Sequence, residues 1–344
     1  LQLILIVWSN PAQTLPNLKR FFPKLEQAFV IVQDIFPPTQ VQKDKFAHVT
    51  AEFADIFLPS AFWIEKGGVF GNTERRSSLT EKILDPPHGL KADWEIFKEV
   101  ATRMGYGQYY EHYTDTEVIW NEYREASKGT DLDLFGASYS YLRKTGSVQW
   151  PILSETEGDT PKRYQYPEDK YLKHLVHTGQ ITVPEDGIYF YGFPDGKAKI
   201  FKRPFKDPAE KPDKDYPFYL TSGRVVHHGH SGTMTMRVPW LKKMVKEAFV
   251  EINMVDARKN GIRDNDLVRL TSRRGEIILK AKVVESEDDR QRGIEGRVSI
   301  PIPGLLFAPF FDVDKLINLI TVDAFDDLSK QPEYKICAVK LEKV

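Results

Sequence analysis

The chain has 344 residues, with 48 lysine and arginine residues against 49 aspartate and glutamate residues, which gives a net charge of −1. This length allows about two domains, and the balanced charge excludes the positive field that general binding of nucleic acids or anionic membranes requires. The single cysteine, Cys337, excludes an intrachain disulfide, a multi-cysteine zinc site and an iron–sulfur cluster held by this chain alone.

The first apolar run extends from Leu1 to Trp8. It is far shorter than a membrane span, and no basic segment precedes it as in a signal peptide. Within it, Leu3 to Val7 is apolar at every position and predicts a strand of a parallel sheet that is buried on both faces. The chain opens inside this strand with leucine rather than methionine, so we expect it to be part of a longer polypeptide.

Residues 15–29 have the amphipathic spacing of a helix. Three apolar strands are predicted. Leu3 to Val7 precedes this helix, Phe29 to Val32 follows it, and Ala54 to Leu58 lies further along the chain. This order predicts β-α-β units of a doubly wound sheet, which binds ligands at the carboxyl ends of its strands. The predicted strand ends are Ser9–Asn10, Gln33–Asp34 and the segment after Pro59.

Two helices are predicted in the middle of the chain. The first covers residues 92–104, with Asp93 at its N-cap or in its first turn. The second begins at Thr114, which has the capping-box spacing to Glu117, and runs to about Ala126. Residues 150–185 show no periodicity and are predicted to be loops.

A hairpin is predicted around Pro194-Asp195-Gly196, with strands at Ile188 to Tyr191 and Ala198 to Phe201, followed by a charged linker from Phe205 to Asp215. From Tyr216 onward the period changes to two. Strands are expected at 217–221, 247–253, 266–272, 275–284 and 296–301, with a tight turn at Ser272–Gly275. Five closely spaced strands predict a barrel. The predicted domains are an α/β domain (1–80), a helical and loop region (81–205) and a barrel domain (206–344).

The common catalytic and nucleotide-binding motifs are absent from the sequence. No G-x-G-x-x-G follows the first strand, and no phosphate-binding loop of the G-x-x-x-x-G-K-[ST] type occurs. Residues 229–232 do not have the G-x-S-x-G spacing of a serine hydrolase. These absences disfavour ordinary NAD or ATP binding and serine-hydrolase chemistry.

The densest polar cluster is Thr221–Thr235, which contains three histidines, three glycines and several hydroxyl side chains. Glycines allow close approach of a ligand, and Arg224 with the hydroxyl groups suits phosphate oxygens, so the segment indicates a large phosphorylated heterocyclic ligand. A metal site at His227, His228 and His230 is disfavoured because adjacent strand residues point to opposite faces and no carboxylate or thiol is near. The remaining alternative is a polar loop whose hydrogen bonds are satisfied internally.

A second cluster, residues 65–76, follows the third predicted strand. Its glycines and Lys66 suit a loop that approaches an anionic ligand closely. The alternative is a connection between domains whose charges form surface ion pairs. In the same way, Asp93 is simply explained as a helix cap and Lys335 as a solvated lysine.

These clusters belong to a longer series of motifs that carry a family resemblance. The series is Ser9–Pro11 with Leu15–Asn17, Ala54–Pro59, Trp63–Gly67, Gly71–Arg76, Gly223–Val225, His228–Thr235, Ser272–Gly275, Pro309–Asp312 and Lys335–Lys340. It resembles the C-terminal part of a molybdopterin oxidoreductase of the dimethyl-sulfoxide-reductase superfamily. The ending at Lys335–Lys340 is most similar to the catalytic subunit of nitrate reductases of the periplasmic type.

The resemblance implies a bis-molybdopterin guanine dinucleotide cofactor with molybdenum, and a 4Fe-4S cluster and the molybdenum ligand in an N-terminal half that this chain lacks. It also implies a barrel of the double-psi type. The residues implied to bind cofactor are Asn10, Gln33, Asp34, Lys66, Asp93, Ser222, Gly223, Arg224, Val225, Val226, His227, His228, Gly229, His230, Ser231, Phe310, Asn318 and Lys335. Three of them depart from the family pattern, since Gln33 replaces a serine, His227 an acidic residue and Gly229 an aromatic one. No catalytic residue and no metal ligand is assigned within this chain.

The implied reaction is two-electron reduction of nitrate to nitrite in nitrate assimilation or electron transport. The implied partners are nitrate, the N-terminal half of the enzyme and an electron-donor protein such as a cytochrome, with no nucleic acid and no membrane span. The implied location is the periplasm, with the cytoplasm as the alternative. The open alternatives in function are another oxidoreductase of the superfamily, such as a formate dehydrogenase or an assimilatory nitrate reductase, and a non-catalytic cofactor-binding module.

Overall fold

The computed structural model describes residues 3–36, 40–42, 45–46, 48–183, 185–284 and 302–344. The strands are β1 Leu3–Val7, β2 Phe29–Asp34, β3 Gln40–Gln42, β4 Lys45–Phe46, β5 Ile56–Pro59, β6 Gly68–Gly71, β7 Arg76–Thr80, β8 Ser147–Gln149, β9 Phe218–Gly223, β10 Phe249–Asn253, β11 Leu267–Thr271, β12 Glu276–Val284, β13 Leu305–Pro309 and β14 Cys337–Lys343. The helices are α1 Pro11–Thr14, α2 Leu18–Glu26, α3 Asp93–Arg103, α4 Thr116–Ser127, α5 Tyr139–Thr145, α6 Lys170–His177, α7 Pro239–Met244 and α8 Met254–Lys259.

The chain divides into two compact units. Unit 1 combines Leu1–Pro59 with Phe205–Val344, and unit 2 is Ser60–Pro204. The three domain ranges expected from the sequence group the chain differently, and they stay a prediction. Among the helices of the described residues, none has the length and apolar composition needed to cross a membrane.

The N-terminal part of unit 1 is a three-stranded parallel sheet in the order β1-β2-β5, as the alternation of strands and helix predicts. On one face, Ile6, Val30 and Val32 are buried with Leu18 and Leu25 of α2. The expectation that β1 is buried on both faces is wrong. Its odd-numbered side chains point away from α2, and they leave Leu3 55% and Leu5 42% exposed.

The C-terminal part of unit 1 is a closed barrel of six strands in the order β10-β12-β11-β14-β9-β13. Four of its strands confirm the period-two prediction, and the turn at Ser272–Gly275 connects β11 to β12. The predicted strand at 296–301 lies outside the described residues. The sequence pattern does not predict β13 and β14, because the buried runs Leu306–Pro309 and Cys337–Val339 do not alternate between apolar and polar residues.

Unit 2 contains an antiparallel sheet in the order β6-β7-β8 and the helices α3 to α6. Helix α3 confirms the prediction for residues 92–104 and has Asp93 in its first turn, next to the N-cap Ala92. The predicted start of the next helix is wrong by one residue. Asp115, not Thr114, is its N-cap, because the Asp115 carboxylate accepts hydrogen bonds from the backbone N–H groups of Glu117 and Val118.

The prediction of loops throughout 150–185 is wrong, because α6 lies within this range. The carboxylate of Asp169 caps it by accepting from the backbone of Tyr171 and Leu172. The side chains of Leu172 and Leu175 are buried on one face. This helix has only eight residues, and the proline and tyrosine residues around it hide its short apolar period.

The predicted strands at 188–191 and 198–201 do not form in the described residues. The turn itself exists, since the Gly196 N–H donates to the Phe193 carbonyl and the Gly196 carbonyl accepts from the Phe190 N–H. The aromatic rings of Phe190 and Tyr191 pack against Tyr164 instead, and Ile200 is 95% exposed. A strand without a partner ladder and without a buried face is not stable.

Candidate functional site

Asn10 lies directly after β1, at the carboxyl end of the parallel sheet, and it is 6% exposed. Its Nδ2 donates to Gln13 Oε1 and to Thr233 Oγ1, each at 3.0 Å. Its Oδ1 accepts from the Thr50 backbone N–H at 3.0 Å and from the Thr50 hydroxyl at 2.8 Å. This side chain therefore joins the end of the sheet to the loop that follows β9.

Gln13 makes the second link between the sheet and the barrel. Its Nε2 donates to the carbonyl of Ser231 at 2.7 Å and to that of Phe310 at 3.2 Å. In turn, Nδ2 of Asn318 donates to the Gln13 carbonyl at 2.8 Å. We call Asn10, Gln13, Thr50, Thr233 and Asn318 the polar hub. Four predicted site residues, Asn10, Ser231, Phe310 and Asn318, thus contact Gln13, a residue that the sequence patterns did not single out.

The loop after β9 depends on two glycines for its close packing. A Cβ at Gly223 would clash with the ring of Phe307. At Gly232, φ is +76° and an added Cβ would lie 2.7 Å from the Phe311 carbonyl oxygen. Only glycine tolerates both the conformation and the short approach, so these residues hold the loop against β13 and the segment after it.

His228 is buried within this loop and stacks on Phe311 at a ring distance of 4.3 Å. Its Nε2–H donates to the Val245 carbonyl at 2.8 Å, and its Nδ1 lies 3.1 Å from the Thr235 hydroxyl. Burial lowers the pKa of His228, and the nearby His227 lowers it further, against the opposing effect of the Val245 carbonyl. Both ring nitrogens therefore have partners within the protein, and the lowered pKa of His228 favours the neutral imidazole. No cluster of three metal-binding side chains occurs in the described residues.

The remaining residues of this segment lie near the surface. Val226 is 75% exposed, and Arg224, Gly229 and His230 are exposed as well. His230 has a φ of +50°, a left-handed conformation. Val225 forms an isolated bridge with His228, which makes a tight turn at the beginning of the loop.

Two cations lie at the carboxyl end of β9. The Lys335 Nζ donates to the Ser222 carbonyl at 2.5 Å, and burial followed by the charge of Arg224 lowers the pKa of Lys335. Ser222 Oγ donates to the Tyr334 carbonyl at 2.8 Å. Neither Arg224 nor Lys335 forms an ion pair with a carboxylate in the described part of the chain. We call Arg224, Lys335 and the Ser222–Gly223 backbone the cation edge, and its unbalanced charge suits an anionic ligand.

Asp34 lies at the carboxyl end of β2 and is 8% exposed. Its Oδ1 accepts from the Ile35 N–H at 2.7 Å, and its Oδ2 lies 3.1 Å from Nε2 of His48, which is fully buried. The neighbouring Gln33 is also fully buried. His48 was missed by the sequence reasoning, because a lone histidine before a predicted strand carries no pattern. It fixes the orientation of the Asp34 carboxylate.

In unit 2, Lys66 and Asp93 form an ion pair with each other. Their side chains are 16% and 22% exposed, so the pair is largely shielded from water. The family resemblance implies that both residues bind cofactor, and the structure brings their side chains together. Their contact with a cofactor stays a prediction.

The fold and the site define a protein in which a parallel α/β sheet and a closed mixed barrel are joined by buried polar side chains. The same architecture occurs in acetylene hydratase from Pelobacter acetylenicus, with a TM-score of 0.66 at 14% identity, over all of this chain and 44% of that chain. Residues 2–103 match the Molybdopterin oxidoreductase family model, and residues 218–338 match the Molydopterin dinucleotide binding domain.

Curated relatives match along nearly the whole chain. It is 42% identical to a nitrate reductase of Symbiobacterium thermophilum and 40% identical to a periplasmic nitrate reductase of Desulfovibrio desulfuricans, in each case over 99% of this chain and 41% of the relative. It is 36% identical to the F420-dependent formate dehydrogenase subunit alpha of Methanocaldococcus jannaschii, over 100% of this chain and 43% of that protein. The chain belongs to the molybdopterin oxidoreductases of the dimethyl-sulfoxide-reductase superfamily and corresponds to their C-terminal region. It spans about two-fifths of the length of these relatives.

Proposed function

We propose that this chain is the C-terminal part of a molybdenum enzyme that reduces nitrate to nitrite and holds two molybdopterin guanine dinucleotides. The observation that carries the proposal is the cation edge. Arg224 and Lys335 lie together without a carboxylate partner in the described residues, beside a backbone that Gly223 keeps free of a side chain. A site of this composition suits the diphosphate group of a dinucleotide.

The other residues of the set have distinct tasks in this proposal. Arg224 would hold phosphate oxygens through its planar guanidinium, and Lys335 would add a point charge. Asp34, oriented by His48, accepts N–H groups of a heterocycle at the end of β2. The polar hub keeps the sheet and the barrel loop in register, so that both contribute to one binding surface.

The residues present therefore fit a phosphorylated, heterocyclic cofactor. When bound, the pterin dinucleotides carry the molybdenum that supplies the two-electron redox chemistry. In this proposal the protein binds and orients the cofactor, while the molybdenum ligand and the 4Fe-4S cluster belong to the N-terminal half. Supply of electrons by a cytochrome or another donor protein, and a periplasmic location, are parts of the same proposal.

Nitrate is the proposed substrate because two nitrate reductases match at 42% and 40% identity. Formate oxidation is the second candidate, because a formate dehydrogenase subunit matches the whole chain at 36% identity. Nitrate reduction consumes electrons and formate oxidation releases them, so viologen assays in the two directions distinguish the two candidates.

The test uses the full-length enzyme that contains this chain. Molybdenum and pterin contents are measured, followed by nitrate-dependent oxidation of reduced viologen and formate-dependent reduction of oxidised viologen. We expect molybdenum, pterin and nitrate turnover. Turnover of formate alone would establish the second candidate, and a protein that never contains pterin would establish a non-catalytic role.

A further inference from the structure

The parallel sheet β1-β2-β5 of unit 1 has one face that is largely open to solvent in the described structure. Helix α2 packs on the opposite face, where Val30 and Val32 are buried. Because successive side chains of a strand point to opposite faces, the residues that alternate with these two belong to the open face. We call the open side the outer sheet face and define it by Leu3, Leu5, Phe29, Ile31 and Ile56.

The strand register brings these side chains into two rows. Leu3 pairs with Phe29. Leu5 pairs with Ile31, which in turn pairs with Ile56. The exposed fractions of four of the five residues lie between 42% and 55%. Of the eight outward positions of the three strands, all but one, at the carboxyl end of β2, are apolar. The outer sheet face is thus a continuous apolar surface whose strand positions carry no charge.

An open apolar face is unusual for a parallel sheet. Antiparallel sheets commonly leave one polar face in water, whereas parallel sheets occur almost only with both faces covered. The composition of β1 therefore belongs to a sheet with a layer on each side, which explains why its sequence predicts burial on both faces. In the described residues α2 provides one of these layers. The second layer has to come from another part of the protein or from a partner.

The length of the relatives favours a layer from the same polypeptide. The chain spans about two-fifths of its curated relatives, so in the proposed enzyme more than half of the polypeptide lies outside it. A covalently connected layer has a high effective concentration and can cover the face in every molecule. In the described part of the chain β1 pairs only with β2, so its other edge is open to a further parallel strand. Parallel strands are usually connected by a helix, which can supply the missing layer.

We propose that an amphipathic helix of the N-terminal half packs its apolar stripe on the outer sheet face. This inference rests on the part of the proposed function that makes the chain the C-terminal portion of a longer enzyme. Because the strand positions of the face are uncharged, aliphatic and aromatic side chains form the contact rather than ion pairs. The completed sheet then has helices on both faces, as doubly wound sheets do.

The first experiment uses the full-length enzyme with the photo-cross-linking residue p-benzoylphenylalanine in place of Phe29. This residue keeps the phenyl ring of Phe29, is uncharged, and on irradiation forms a covalent bond with groups that touch it. We expect the main product to join this position to a peptide upstream of Leu1 in the same polypeptide, identified by mass spectrometry. The matched control has the same substitution at Phe325, which is exposed but lies outside the sheet, and it should not give that peptide.

The second experiment measures the thermal midpoint of three variants of the full-length enzyme. Leu5→Glu places a charge on the face, and a covering helix would bury that charge without a partner, so the midpoint should fall by about 5 °C or more. Leu5→Met keeps an apolar side chain of similar volume and should stay within about 2 °C of wild type. The matched control is Ile278→Glu on β12, where Ile278 is 38% exposed, and it should also change the midpoint by less than about 2 °C.

A cross-link to a second copy, to a separate protein or to a segment between Leu1 and Val344 would overturn the proposal. A folded, irradiated enzyme that forms no cross-link from Phe29 would overturn it as well. The same holds if Leu5→Glu lowers the midpoint no more than Ile278→Glu does, because the face would then be open to water.

The proposed function is tested separately on the same preparations through molybdenum content, pterin content and nitrate turnover. Cofactor-loaded enzyme that reduces nitrate but lacks the cross-link to the N-terminal half would refute this inference alone. The expected cross-link in a protein that never contains pterin would refute the redox role and leave the covered sheet in place.

Discussion

Two polar regions of unit 1 differ in how their hydrogen-bonding capacity is used. In the polar hub, the amides of Asn10 and Gln13 are buried and bonded to other parts of the chain. In the cation edge, Arg224 is exposed and has no carboxylate partner in the described residues, and Lys335 bonds only a backbone carbonyl. The resemblance implies cofactor binding for Asn10 and Asn318 of the hub and for the residues of the cation edge. Because the hub amides already have partners within the chain, we expect the hub mainly to stabilise the fold, whereas the edge keeps its capacity for a ligand.

The largest effect is expected in the hub. Gln13→Leu removes the donor to the Ser231 and Phe310 carbonyls and leaves the buried Ser231 carbonyl without this hydrogen bond. We expect the free energy of unfolding to fall by about 2–4 kcal/mol. Urea denaturation measures the free energy of unfolding of Gln13→Leu and of the control Gln27→Leu. Gln27 is an exposed glutamine that follows α2. Equal stability of the two variants would show that the hub does not hold the fold.

A change at the cation edge should weaken cofactor binding and leave stability nearly unchanged. Arg224→Lys keeps the charge but loses the planar pair of donors, so cofactor retention should fall by about 1–3 kcal/mol with little change in unfolding. Molybdenum content and nitrate kinetics normalised to it are measured together. Full occupancy combined with an altered Michaelis constant for nitrate would place Arg224 in the substrate path instead.

Gly223 belongs to the cation edge, and its replacement tests the packing of the loop after β9. Gly223→Ala forces a methyl group against the Phe307 ring, and overpacking of this kind costs about 1–3 kcal/mol of stability. The matched variant is Gly229→Ala, where the nearest atom to an added Cβ is 3.9 Å away. Thermal unfolding of the two should separate them, and a stable Gly223→Ala variant would contradict the close approach.

The smallest expected effect is on the pH dependence of the free energy of unfolding. The pKa of His228 is lowered from 6.5 in the folded state, mainly by burial. As the pH falls below this ordinary value, the unfolded chain takes up a proton that the folded chain refuses, so acid reduces stability. We expect His228→Gln to show a weaker loss of stability between pH 7 and pH 5 in urea denaturation. An unchanged slope would mean that His228 is not held neutral.

The sequence predicted the elements whose pattern is local. The parallel sheet, α3 and four barrel strands follow from periodicity, and the polar loop follows from its composition. Family motifs single out Arg224 and Lys335, and their contact with a cofactor stays a prediction. It did not predict Gln13 or His48, because their roles come from contacts between residues far apart in the chain, such as Gln13 with Ser231. It also did not predict β13, because this buried strand has no alternation of apolar and polar residues. Sequence patterns therefore did not reveal which residues are buried by tertiary packing.

The role of the cation edge in holding the cofactor is measured by the pterin dinucleotide content of the full-length enzyme with Arg224→Gln and Lys335→Gln combined. Guanine nucleotide released by acid hydrolysis is quantified per protein, and the thermal midpoint is recorded alongside. We expect most of the dinucleotide to be lost, while the variant unfolds near the temperature of cofactor-free wild-type enzyme. Wild-type dinucleotide content in the double variant would contradict the assignment of the cation edge to the cofactor.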